Sequence, residues 1–151
     1  MQRWFSLFVF VFAVSGMGIL IGTSTVPGVW YAELAKPALN PPNWLFGPVW
    51  SVLYVLVAIA GWRVWEASGL SALFSLWILQ LALNFAWSPV VFVIHDLTLG
   101  LLILLAMLAA IVVFIRAALA GGDRISALLF VPYALWVAFA AYLNTGLVVL
   151  N

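Results

Sequence analysis

Trp50, Trp87 and Trp136 fall well inside long apolar runs, where an indole N–H needs an acceptor or a cavity. Each has company at helical spacing. Tyr54 follows Trp50 by four residues, so the two rings share one helix face. Gln80, Asn84, Trp87 and Ser88 form an i, i+4, i+7, i+8 stripe on a single helix. Pro132, Trp136 and Ala140 share a face of the last run. Such residues suit a small-molecule site, an apolar chamber walled by rings with a few polar groups to fix orientation. The stripe has a second reading. A primary amide in hydrocarbon is costly unless bonded, so Gln80 and Asn84 serve equally well as hydrogen-bonded glue between helices.

Conventional acid–base chemistry finds little support. The single histidine, His95, adjoins Asp96 in a connector, where the pair more simply ends one helix and starts the next than forms a working dyad. The chain has no cysteine, and no second histidine or nearby carboxylate supports a metal site. No Asp, Glu or Lys sits within an apolar run to couple an ion gradient. Arg63 and Arg116 fall at span ends, where they can snorkel.

The elements that position these residues follow from composition. Of 151 residues, 68% are hydrophobic and 6% charged, too few charges to cover a water-soluble surface. A net charge of +1 offers no field to hold nucleic acid. Continuous apolarity without two-residue alternation indicates helices rather than a barrel. The expected fold is all-α, one integral-membrane domain over 1–151. Its five spans lie near 5–26, 44–65, 70–94, 98–119 and 125–148, with a lid-like connector over 27–43. The first run resembles a secretory signal with a cleavage site near Gly16, but its apolar stretch continues to Ile21, which favours a retained span. Arg3, Arg63, Arg116 and Arg124 share the N-terminal side and Lys36 lies opposite. For a protein of the cell membrane, positive-inside reasoning then puts the N-terminus in the cytoplasm.

This topology places Trp50, Tyr54, Asn84 and Trp87 in the outer half of the membrane, with Trp136 near the midplane as a floor and Ala140 leaving room above it. The connector covers the same end. Pro37, Pro41, Pro42 and Pro48 lose little entropy on ordering and hold their preceding residues extended, so the segment can pack in one shape over a mouth. A stiff linker with interfacial anchors is the plainer alternative. Lys36, Asn40 and Asn43 offer donors there for a ligand's acidic groups. Trp4, Trp30, Trp44, Trp62 and Trp65 lie near span ends and read as an interfacial belt. Gly18-Ile19-Leu20-Ile21-Gly22 permits close helix approach, either within the chain or across a dimer seam. Ser71/Ser75 and Ala82/Ala86 pose the same choice.

Three stretches, WYAELAKPALNPPNWLFGPVW, QLALNFAWSPVVF and VPYALWVAFAAYLN, resemble in order the signatures of the TspO/MBR family, whose members include bacterial tryptophan-rich sensory proteins and the mitochondrial translocator protein. The resemblance implies a five-helix bundle, commonly homodimeric, that binds porphyrins such as protoporphyrin IX and other hydrophobic ligands and requires no cofactor. It maps the pocket onto Tyr31, Trp50, Tyr54, Asn84, Trp87, Trp136 and Ala140. It also implicates Trp50 and Trp136 in a light- and oxygen-dependent porphyrin breakdown, with the porphyrin then a substrate. Facilitated exchange of tetrapyrroles or lipophilic molecules, and sensing through a partner, are the alternatives. Leu39 stands where many members have an aromatic residue. The tail after Tyr142 lacks the tyrosine and arginine of sterol-binding members, so sterol binding is not carried over.

Overall fold

The computed structural model describes residues 2–151. In chain order the elements are α1 (Gln2–Ser24), a short α2 (Val29–Glu33), a 3-10 turn (Asn43–Leu45), α3 (Phe46–Ser68), α4 (Ala72–Phe92), α5 (Leu97–Ala120) and α6 (Arg124–Leu150). No strand occurs among the described residues. The five long helices are each apolar and long enough to cross a bilayer, and they begin and end within three residues of the expected limits. Their ends have local causes. Ser71, Asp96 and Asp123 cap α4, α5 and α6 by accepting from Phe74, Leu99 and Ser126 backbone N–H groups. Gly69 ends α3 at φ 55°, a conformation that favours glycine.

Around the bundle α1 packs on α3, α3 on α6, α6 on α5 and α5 on α4, and α4 closes against α1 and α3. Lipid tails are as apolar as leucine, so side-chain fit and interhelical hydrogen bonds must hold the helices together. The fit is close where α5 meets α6: Leu104, Met107, Ile111, Phe114 and Phe130 are fully buried, and the rings of Phe114 and Phe130 stack at 4.0 Å. Where α1 meets α3, Gly18 lies flat against the Tyr54 ring, so that even a methyl group there would collide with it. The first glycine of the GxxxG pattern is therefore used within the chain. Gly22 faces open space.

Polar stitches complete the bundle. Gln80 donates to the Trp77 carbonyl in its own helix at 2.8 Å. Trp77 in turn donates to the Val57 carbonyl of α3 at 2.8 Å. Ser88 of α4 and Thr25, the residue just past α1, share a 2.5 Å hydrogen bond. Two expected belt residues also have specific partners. Trp62 donates to Ser6 Oγ at 3.0 Å, and Trp30 stacks on His95 at 4.0 Å between ring centroids.

The connector is partly helical rather than extended throughout, because Val29–Glu33 contains no proline and completes a turn and a half before Pro37 intervenes. Leu34, which ends α2, and Pro42, which precedes the 3-10 turn, are both extended. Lys36 Nζ closes the end of α2 by donating to the carbonyls of Tyr31 and Leu34, and it lies 4.1 Å from the Tyr31 ring centroid. The segment then lies against the C-terminal end of α6. Tyr142 donates to the Ala38 carbonyl at 2.9 Å, Asn151 pairs with Ala35, and Gly146 leaves just the space that Pro37 occupies.

Candidate functional site

Beneath the connector the rings form one connected cluster. Trp50 stacks on Tyr54 with centroids 5.5 Å apart and planes 27° from parallel, the i, i+4 relation on α3. Trp50 meets Trp136 of α6 nearly perpendicularly at 6.5 Å, and Tyr133 at 6.3 Å. Phe46, at the start of α3, presents an edge contact to Trp136 at 5.8 Å. Edge-to-face contacts of this kind suit the negative face and positive rim of aromatic rings.

Asn84 ties the cluster together. Its Oδ1 accepts from the Tyr54 hydroxyl at 3.1 Å, and its Nδ2 donates to the Tyr133 hydroxyl at 3.0 Å. Tyr133 passes its own proton on to Met107 Sδ at 3.2 Å. One amide on α4 thus joins α3, α6 and α5, and the glue reading of the stripe describes it directly. Two polar atoms stand out by contrast. Trp136 Nε1 and Gln80 Oε1 are buried with no hydrogen-bond partner, and a buried polar group left so costs free energy until something bonds it.

A second aromatic group lies nearer the connector. Tyr31 meets Phe92 edge-on at 5.3 Å, and Phe92 meets Trp87 at 5.7 Å. Trp87 donates its N–H to Asn144 Oδ1 at 3.2 Å, while Asn144 Nδ2 donates to the Leu97 carbonyl at 2.8 Å. Ala140 is buried on α6 one turn from both Trp136 and Asn144. Of the seven residues expected to form a pocket, Trp50, Tyr54, Trp136 and Asn84 are thus brought together directly. Tyr31 and Trp87 share Phe92, and no ring contact joins Trp87 to Trp50 or Trp136 among the described residues.

At the mouth, burial pushes the Tyr31 phenol above its ordinary pKa and lowers that of Lys36. Lys36 spends two of its donors on backbone carbonyls, which leaves one for a ligand. Asn40 keeps a buried Oδ1 without a partner. On the outer face of the bundle a groove of about 580 Å³ runs between α3 and α6, walled by Pro48, Val52, Leu56, Pro132, Leu135 and Trp136. Trp136 therefore separates the inner ring cluster from a lipid-facing groove. His95 takes no part in the cluster; it holds the connector through Trp30 at a positive φ of 63°.

A family model for TspO/MBR matches residues 8–150. The chain belongs to the TspO/MBR family. Protein CrtK of Rhodobacter capsulatus is similar, at 38% identity over 97% of this chain and 93% of that protein. Tryptophan-rich protein TspO of Chlorobaculum tepidum is 36% identical over 83% of this chain and 82% of its own. The human translocator protein is 34% identical over 85% and 80% respectively. These relatives and the five apolar helices make this TspO/MBR chain an integral membrane protein.

Four participants escape the sequence reading. Tyr133 carries one arm of the Asn84 bridge, yet it sits one residue off the Pro132–Trp136–Ala140 face and reads as filler. Asn144 had a usable signal: it lies four residues beyond Ala140, an amide on an apolar helix. Phe46 and Phe92 give no signal apart from being two of eleven phenylalanines.

Proposed function

We propose that this chain is a membrane receptor for porphyrins of the protoporphyrin IX type and for other flat hydrophobic molecules, bound at the ring cluster beneath the connector. The observation that carries the reading is the Trp50–Trp136 contact, in which two indoles from distant parts of the chain meet and one of them has a buried N–H without a partner. A macrocycle has π faces for the rings and pyrrole nitrogens for the indole N–H. Its propionates would point to the mouth, toward the free donor of Lys36 and the amide of Asn43. The rings now lie against one another, so a guest as large as a porphyrin enters by parting the Trp50–Tyr54 stack.

Titration of the purified protein with protoporphyrin, in the dark and followed by the porphyrin absorbance, tests this. Trp50→Phe with Trp136→Phe is expected to weaken binding about tenfold, roughly 1.4 kcal/mol, with the helical content unchanged. An unchanged isotherm in the double variant removes the assignment. The same titration under light and oxygen, with product analysis, tests whether Trp50 and Trp136 also direct porphyrin breakdown. Breakdown at the same rate with free tryptophan in place of the protein would discard that role.

Facilitated exchange is the second reading, and the groove between α3 and α6 favours it. A ligand passing Trp136 would move between the cluster and the bilayer without crossing the connector. Vesicle flux measurements separate this from simple binding.

A further inference from the structure

At the opposite end of the bundle from the ring cluster, a cleft of about 360 Å³ straddles the end of α3, lined by Arg3, Trp62, Arg63, Glu66, Asp123 and the Gly121–Gly122 turn. We propose that this cleft is a binding site for the zwitterionic headgroup of a phospholipid that bears a phosphodiester and a primary ammonium. The site is independent of the porphyrin reading and shares no residue with it.

Charge balance selects the ligand. Two guanidiniums and two carboxylates line the cleft, so its formal charge is zero. A lone anion would meet Glu66 and Asp123, and a lone cation would meet Arg3 and Arg63. A molecule with both charges a few ångströms apart meets each with its opposite. Spare hydrogen-bonding capacity then locates the two halves. Arg63 donates Nη2 to Asp123 Oδ1 at 2.8 Å and Nε to Ser126 Oγ at 3.3 Å. Of its five N–H groups, three remain. Among the described residues Arg3 has a single polar approach, a long 3.5 Å from Nε to Glu66 Oε2, and its side chain is 74% exposed. These unspent donors are the phosphate side.

Asp123 is the more heavily used carboxylate: Ser126 N–H and Arg63 take both sites on Oδ1, and Ser126 Oγ takes one on Oδ2. Glu66 differs. It accepts from Ser6 Oγ at 3.1 Å on Oε1, and among the described residues its Oε2 has just the long Arg3 contact. An ammonium with three N–H donors can take the remaining lone pairs, whereas a quaternary ammonium has no proton to offer. Trp62, held by its N–H to Ser6, forms the aromatic wall beneath Arg3, 5.8 Å from its guanidinium carbon. The cleft lies at the ends of membrane-spanning helices, the level at which lipid headgroups are concentrated.

Native mass spectrometry on protein from mixed micelles, with phosphatidylethanolamine, phosphatidylcholine and phosphatidylglycerol at equal concentration, reads this directly. Phosphatidylethanolamine is expected to be retained preferentially. Arg3→Gln and Glu66→Gln should each reduce its retention about fivefold, as befits half-exposed charge-assisted contacts, with thermal unfolding little changed. Equal retention of the three lipids would mean a non-specific shell and overturn the proposal. Preference for phosphatidylglycerol, or full retention by both variants, would overturn it too. Soluble phosphoethanolamine is the remaining arm. Competition by it alongside lipid retention supports the headgroup assignment, and binding of it without lipid retention overturns the lipid as occupant.

Discussion

The side chain of Asn151 pairs with both backbone groups of Ala35, accepting from its N–H at 2.9 Å and donating to its carbonyl at 3.1 Å. The amide imitates a strand partner and fastens the connector to the end of α6. Tyr142 adds a second fastening about two and a half turns back, at the Ala38 carbonyl. Both hold the segment at the mouth, so the connector is fastened at two points to the end of α6, the helix that also supplies Trp136.

Asn151→Ala is accordingly expected to loosen the connector without unfolding the bundle. Losing this exposed contact should cost roughly 1 kcal/mol, about a fivefold rise in the open population. Hydrogen exchange at the Ala35 amide should accelerate by that factor, and porphyrin association and dissociation should both quicken. Exchange at Ala35 unchanged from the parent chain would show that the pairing does not restrain the segment.

Gly18 and Gly22 stand one helical turn apart, yet substitutions there should differ in effect. A methyl at Gly18 runs into the Tyr54 ring, while one at Gly22 meets nothing within 4 Å. Gly18→Ala is expected to cost about 1–3 kcal/mol through overpacking. It should also disturb the Trp50–Tyr54 stack and with it porphyrin binding. Gly22→Ala should be neutral or slightly stabilising. Chemical denaturation in micelles compares the two, and equal losses would contradict the packing described.

The five long helices were legible because hydropathy and length nearly determine them: a lipid-exposed backbone must bond internally, so each apolar run of some twenty residues has one option. Trp50 with Tyr54 was legible for a similar reason, as spacing of four on a helix leaves no freedom. Contacts between helices were not. Whether Asn84 pointed at a guest or at its neighbours depended on helix rotation, which a polar stripe constrains only toward the interior, and Tyr54 and Tyr133 proved to be its partners. The rotation of α4 turns Trp87 to Phe92 and Asn144 instead of the other two deep indoles. The prolines marked the connector itself. They could not show the short α2, since Val29–Glu33 has neither a capping side chain nor the length to reveal a period.

Stability at low pH should depend on Asp123. Burial alone would raise its pKa, but hydrogen bonds from Ser126 and Arg63 outweigh that and hold it below the ordinary 3.8. A carboxyl depressed in the folded state stabilises the protein above its unfolded pKa, and that contribution fades as pH falls through the folded value. Acid unfolding of the parent chain should therefore steepen below about pH 4. Asp123→Asn should be less stable at neutral pH and flatter in that range. A parallel pH profile for the variant would show that another group governs acid unfolding.

Asn84 is best tested by a double-mutant cycle with Tyr54. Replacing Asn84 with Leu removes the one partner that the Tyr54 hydroxyl has among the described residues, whereas Tyr133 keeps its contact with Met107 Sδ. One orphaned buried hydroxyl costs about 1–3 kcal/mol in a dry interior. Interhelical hydrogen bonds measured in membranes average only about 0.6 kcal/mol, because the separated helices find other partners. Asn84→Leu should therefore destabilise by roughly 1–2 kcal/mol, between these limits. In a Tyr54→Phe background the loss should shrink, since no hydroxyl remains to be orphaned on α3. Porphyrin affinity should follow the same pattern, because Tyr54 supports Trp50 and Asn84 acts on the ligand only through it. Additive losses in both stability and affinity would instead mean that the amide acts independently of the tyrosine, in direct contact with the guest.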